Sequence, residues 1–153
     1  MSEAKPGGIA GQILRVDLTQ GKTWTEGFSE REWREYLGGV GIGAKILYEE
    51  VPPEVQWDHP ENRLVMATGP FAGLPVWGTG GLTVITRGAL TNGATSTQAN
   101  GFFGANLKLS GYDALVLQGQ APGWASTPPT ILGTTTGWAD FCPSPVAVTA
   151  KLT

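Results

Sequence analysis

Between residues 11 and 18, apolar Leu14, Val16 and Leu18 alternate with polar Arg15 and Asp17. That two-residue period predicts a strand buried on one face only. Thr19-Gln20-Gly21 reads as a turn, and residues 22–26 return around Trp24, so the two segments predict a hairpin. At Ser29 the period changes. Ser29 with Glu32 three residues on makes a capping box, and predicts a helix to about Leu37 that Gly38-Gly39 ends. A second helix is predicted over residues 41–50, packing through Ala44, Ile46, Leu47 and Tyr48, and stopped by Val51-Pro52-Pro53. Apolar runs predict strands at 64–68, 82–87 and 113–118, with 93–98 a further candidate. A glycine-rich loop with two prolines fills residues 69–81. Residues 100–110 predict a short helix with Phe103 and Leu107 on one face, closed by Gly111. This order of elements predicts an α+β domain dominated by β structure. The expected core is Leu14, Val16, Ile46, Leu64, Leu82, Val84, Phe103, Leu107, Leu115 and Leu117.

Composition narrows the function classes. A chain of 153 residues suits one domain, and no apolar run reaches the ~18 residues of a membrane helix. The start, MSEAKPGGIA, lacks the apolar stretch of a secretory signal, so a cytoplasmic location is expected. One cysteine, Cys142, excludes a disulfide framework or an iron–sulfur cluster held within this sequence, and one histidine, His59, excludes paired-His metal sites. A net charge of -3 argues against a nucleic-acid partner, which needs a basic patch. Glycine stands out at 23 residues, about twice average usage. Close approach of backbone to backbone or to a ligand is implied.

Charge divides the chain. Of all its charged residues, only Asp140 and Lys151 lie beyond residue 113. A domain is therefore expected over residues 1–122, and a divergent low-charge tail over 123–153. Two origins for the tail stay open: a low-complexity tail or linker, or a truncation or shifted reading frame. The tail is expected to be loosely attached, leaving an unpaired sheet edge near residues 113–118 that promotes association.

Several segments invite a chemical reading. GGVGIGA, residues 38–44, contains GxGxxA, but a dinucleotide fingerprint needs a strand before it. Here a helix precedes, which favours a helix–helix junction. Trp33 and Tyr36 read as core, and Glu30, Glu32 and Glu35 as a solvated face. His59 sits in a polar loop, and Cys142 has no assignable partner. The loop Gly78-Thr79-Gly80-Gly81 and the helix start Gln98-Ala99-Asn100-Gly101 carry more chemistry. Glycines let backbone approach a phosphate, and helix-start amides favour an anion. Turn chemistry alone would also explain them.

The stretches ILRVDLTQG, YLGGVGIGAKILYEEVPP, PENRLVMATGPFAG and GFFGANLKLSGYDALVLQGQA, in this order, resemble the N-terminal domain of the aldehyde ferredoxin oxidoreductase family of tungsten-pterin enzymes. The resemblance covers about residues 11–122. It implies an α+β, mainly β fold with bifurcated antiparallel sheets and a few short helices, forming a base under a tungsten-bis-pterin cofactor. Cofactor phosphates and a bridging magnesium would meet its backbone, with Gly80, Gly81, Gln98, Asn100 and Gly101 as the matching cofactor-binding positions. No catalytic residue is implied. Downstream domains of the family, beyond this match, supply the cysteines of a [4Fe-4S] cluster and much of the substrate pocket. The family oxidises aldehydes to carboxylates and passes electrons to ferredoxin; some relatives act on other oxo-acids or aromatic thioesters. Implied partners are ferredoxin and the downstream domains or a partner subunit, with a homo-oligomer a further option. The chain departs from the family in carrying Gly81 where an arginine is usual and Gln98 where an asparagine is usual. By itself it is expected to be inactive. A non-catalytic scaffold or interaction subunit derived from the domain, or a generic anion-binding module, are the alternatives.

Overall fold

A computed structural model describes residues 7–121. Six strands and three helices follow the chain as β1 (Gln12–Asp17), β2 (Lys22–Gly27), α1 (Glu30–Tyr36), α2 (Gly39–Glu50), β3 (Arg63–Ala67), β4 (Leu82–Arg87), β5 (Ala94–Ala99), α3 (Phe102–Leu109) and β6 (Ala114–Gln118). The predicted α+β class dominated by β structure is the one the chain adopts. Its described strands form a single six-stranded sheet in the order β2-β1-β6-β3-β4-β5. Four neighbouring pairs are antiparallel and one, β1 with β6, is parallel. The parallel pair arises because α3 carries the chain from the β5 edge back across the sheet, so that β6 enters between β1 and β3.

That return corrects one expectation. Residues 113–118 do not form an unpaired edge: β6 is hydrogen-bonded to β1 on one side and β3 on the other. The sheet edges among the described residues are β2 and β5. The expected behaviour of residues 123–153 lies outside the described residues.

Two apolar clusters cover the two faces of the sheet. One joins Ile13, Val65, Ile85 and Val116 to Trp33 of α1 and Ile42, Ile46 and Leu47 of α2. The other joins Leu14, Val16, Met66, Leu82, Leu115 and Leu117 to Leu107 of α3. Of the expected core, seven residues are buried, and Leu64, Val84 and Phe103 are half-buried against the second cluster. The α2 stripe differs from expectation. Its buried residues are Ile42, Gly43, Ile46 and Leu47, while Ala44 is exposed and Tyr48 is 90% exposed. A Cβ at Gly43 would lie 2.7 Å from Ile85 Cγ1, so α2 rests almost directly on β4. GGVGIGA is accordingly a helix junction: Gly38 and Gly39 link α1 to α2, and the Gly39 N–H donates to the Thr68 carbonyl at 3.0 Å.

β1 is covered on both faces, because Arg15 is only 5% exposed. A buried guanidinium is tolerable only when its donors are met by carboxylates. Arg15 donates to Glu26 and makes a two-pronged contact with Glu50 at 2.5 and 2.9 Å, and Glu50 also accepts from Arg63 at 3.1 Å. Burial alone would push the Glu50 carboxyl up. The hydrogen bonds and charges of Arg15 and Arg63 outweigh this and hold it below its ordinary 4.5. A carboxylate held low when folded contributes stability that is present above its unfolded value and lost as pH falls through the folded one. Glu32, held low by hydrogen bonds from Ser29, and Asp17, held low by the Gln20 N–H, act in the same direction. The expected result is a flat urea midpoint from neutral pH to about pH 5 and a fall below it, smaller in Glu50→Gln than in the parent. Parallel pH profiles for the two proteins would contradict the Glu50 assignment.

Candidate functional site

The five sequence-predicted positions meet at one end of the sheet. β4 and β5 pair Leu82 with Ala99 and Thr83 with Gln98. Gly80-Gly81, leading into β4, therefore lies beside Asn100-Gly101, leaving β5. Gly101 is the N-cap of α3, at φ +137°, a conformation that L side chains rarely adopt. It offers no side-chain cap, and the first turn of α3 has no acidic residue. The first N–H groups of a helix lack intrahelical partners and carry a partial positive charge. An anion is therefore the complementary ligand.

The glycines of this site differ in what holds them there. A Cβ at Gly80 would lie 2.5 Å from the Gly101 carbonyl oxygen, and one at Gly104 would lie 2.8 Å from that of Gly81. These two allow the loop before β4 to press against α3. Gly101 is fixed by its backbone angle. Gly81 has neither requirement: a Cβ there would meet nothing within 4 Å, and its φ is not in the left-handed range. The space where its side chain would stand is open, while its carbonyl packs against Gly104 of α3. Gln98 and Asn100 are both exposed at the same end.

The other end of α3 is tied down by an ion pair. Lys108, in the last turn, is committed to Asp113, a fully buried carboxylate that also accepts from the N–H groups of Ala10 at 3.1 Å and Gly11 at 2.6 Å. Its backbone carbonyl accepts from the N–H and hydroxyl of Thr68, both at 2.9 Å. Asp113 thus ties the segment before β1, the end of β3 and the end of α3 together. Sequence reasoning missed it, as it missed the Arg15–Glu50–Arg63 cluster. The available signal was a lone carboxylate, in GYDALVLQ, directly before the apolar run Ala114–Leu117.

His59 lies elsewhere. It lines a cavity of about 190 Å³ with Trp57, Arg63, Leu64, Arg87 and Leu117, at the opposite end of the sheet from Gly81. Its imidazole is half-exposed, 3.9 Å from Glu61. Cys142 is outside the described residues, among which no group of three or more His, Cys, Asp or Glu could hold a metal ion. No helix among them is long and apolar enough to cross a membrane. What the five positions present is main chain and two exposed amide side chains, at the start of a helix; none of the five is a general acid or base.

Comparison with known proteins gives this end of the sheet a context. The N-terminal domain of aldehyde ferredoxin oxidoreductase matches residues 13–127. The tungsten-containing aldehyde ferredoxin oxidoreductase of Pyrococcus abyssi is 40% identical over 114 residues, which cover 74% of this chain and 19% of that relative. An aliphatic sulfonate oxidoreductase, WOR-like subunit, of Pyrococcus furiosus is 31% identical, over 72% of this chain and 18% of its own length. Among solved structures, the active site complex BamBC of benzoyl coenzyme A reductase, with bound 1,5-dienoyl-CoA, matches with a TM-score of 0.73 and 37% identity, over 76% of this chain and 18% of that one. The chain spans about a fifth of the length of these relatives. It belongs to the aldehyde ferredoxin oxidoreductase family, as that family's N-terminal domain.

Proposed function

We propose that this chain forms the cofactor-cradling portion of a tungsten-bis-pterin oxidoreductase that converts aldehydes or related oxo compounds to carboxylates, with ferredoxin as electron acceptor. The observation that carries the proposal is the open space where a side chain at Gly81 would stand, beside the start of α3 that no side chain caps. The residues present fit a phosphate-bearing group: N–H donors, no acidic side chain in the first turn of α3, and no side chain at residue 81 to fill the space. The N–H groups of Gly81, Gly101 and Phe102 would hold cofactor phosphates, with Gln98 and Asn100 as flanking polar contacts. When bound, the cofactor supplies the two-electron oxidation. The chain's own residues fix its position and keep acidic side chains away from it. On this reading the substrate pocket and a [4Fe-4S] cluster come from polypeptide beyond the matched region, so the 153-residue chain alone should show no aldehyde-dependent dye reduction.

Two substitutions at one position test the site. Gly81→Arg places a forked cation where nothing obstructs it, and should tighten pyrophosphate binding by roughly tenfold, as charge-assisted hydrogen bonds are added. Gly81→Glu should abolish that binding without changing the fold. Calorimetric titration with pyrophosphate reads both, and equal affinities for the two variants would refute the site. The larger reading is tested by co-expressing the chain with the remainder of the Pyrococcus abyssi relative in tungstate-supplied cells. The purified complex should hold tungsten and pterin, and should lose both with Gly81→Glu. A complex that forms without either would overturn the proposal.

A further inference from the structure

Both halves of the glycine site run back to one residue at the other end of α3. The first half is α3 itself, whose last turn carries Lys108. Lys108 Nζ pairs with the Asp113 carboxylate and donates to the Gly8 carbonyl at 3.0 Å. The second half is the loop that leads to Gly80-Gly81. It leaves β3 at Thr68, which is buried and whose N–H and hydroxyl both donate to the Asp113 carbonyl. Asp113 is in turn held by the sheet: its N–H donates to the Gln12 carbonyl at 2.8 Å, and the strand it precedes, β6, is paired on both sides. The two halves also touch directly, where Gly73 lies against the Ala105 carbonyl and Gly104 against that of Gly81.

We propose that Asp113 and Lys108 are positioning residues for the anion site: together they set the direction of α3, and so hold the N–H groups of Gly101 and Phe102 beside the open space at Gly81. The proposal rests on the cofactor-cradling reading and adds to it the part of the chain that keeps the cradle in shape. Lys108 lies seven residues beyond Gly101, about 10 Å along the axis at the usual helical rise. It cannot touch an anion at the start of α3, so its influence passes through the helix. An eight-residue helix does not hold its own course. Phe102 and Leu109, at its two ends, are exposed, which leaves Leu107, the half-buried Phe103, the glycine contacts and the Lys108–Asp113 pair to fix it. With the pair removed, α3 is free to pivot about the Gly81–Gly104 contact, and its first N–H groups turn away from the ligand. Supporting groups of this kind must hold a site to within about 0.5 Å.

Calorimetric titration of the 153-residue chain with inorganic pyrophosphate separates positioning from charge. By charge alone, Lys108→Met removes a cation and weakens anion binding, whereas Asp113→Asn removes an anion and strengthens it. Positioning requires both to weaken it, each by roughly tenfold, the loss of about one hydrogen bond to a charged group. The double variant should bind no more weakly than either single one, because the same contact is missing in all three. Lys108→Arg, which keeps a donor for Asp113, should stay close to the parent. Ile42→Val lowers stability on the opposite face of the sheet and should leave the affinity unchanged. Asp113→Asn binding as tightly as the parent, or more tightly, would overturn the proposal and leave the site standing; a parent that binds no pyrophosphate would overturn the reading beneath it as well. Should Asp113→Asn fail to fold, Lys108→Met decides by itself. Its ratio to the parent should persist in about 1 M salt, where a charge acting over about 10 Å is screened, and a ratio that falls to one there would overturn the proposal.

Discussion

Asp113→Ala is expected to destabilise the domain by about 3–5 kcal/mol, the cost of removing one partner from a buried ion pair. The carboxylate is fully buried and Lys108 is only 11% exposed, so water cannot replace the lost charge on either side. Two backbone N–H groups, of Ala10 and Gly11, lose their acceptor in the same step. Losing these two part-buried hydrogen bonds adds to the cost. Asp113→Asn keeps the shape and one acceptor, and should recover part of the loss. Urea unfolding of the three proteins decides the matter; an Asp113→Ala midpoint equal to that of the parent would show that the cluster contributes nothing.

The second large effect is expected at Ile42, where truncation to Ala should cost about 2–5 kcal/mol. Ile42 is fully buried between α2 and the sheet, beside Gly43, whose lack of a side chain lets the helix sit on Ile85. The cavity cannot close by drawing the helix nearer, because backbone and Ile85 are already in contact. Tyr48→Ala, on the exposed face of the same helix, should change stability by less than about 0.5 kcal/mol. Thermal unfolding of the pair separates the observed stripe from the one that hydrophobicity alone suggests.

These two sites also mark what the sequence made legible. Element types were readable because the periodicities are local: the alternation of Leu14 and Val16, the Ser29–Glu32 capping box, and the run ALVLQ. The cap is present as expected, with the Ser29 hydroxyl accepting from the Glu32 N–H and the Glu32 carboxylate accepting from the Ser29 N–H. The α2 face was misjudged because Tyr48 counts as apolar by type, whereas Ile42 and a glycine supply the contact with β4. Sheet order was not legible at all. The insertion of β6 between β1 and β3 depends on where α3 lands, and no local pattern encodes that. For the same reason, Arg15 read as a solvent-facing residue of a half-buried strand. Its partner Glu50 is 35 residues away. The glycine site was legible as a set of segments, since Gly80-Gly81 and Gln98–Gly101 stand out by composition. Distinguishing its glycines required the structure: Gly80 and Gly104 serve packing, Gly101 serves a backbone angle, and Gly81 serves neither.

The most direct test of the cofactor-cradling role is a ¹⁵N–¹H spectrum of the chain titrated with inorganic pyrophosphate, a stand-in for the phosphates of the cofactor. The amides of Gly80, Gly81, Gly101, Phe102 and Phe103 should move most and saturate together, while those around His59 at the other end of the sheet stay in place. Largest shifts beside His59, or none at the start of α3, would contradict it.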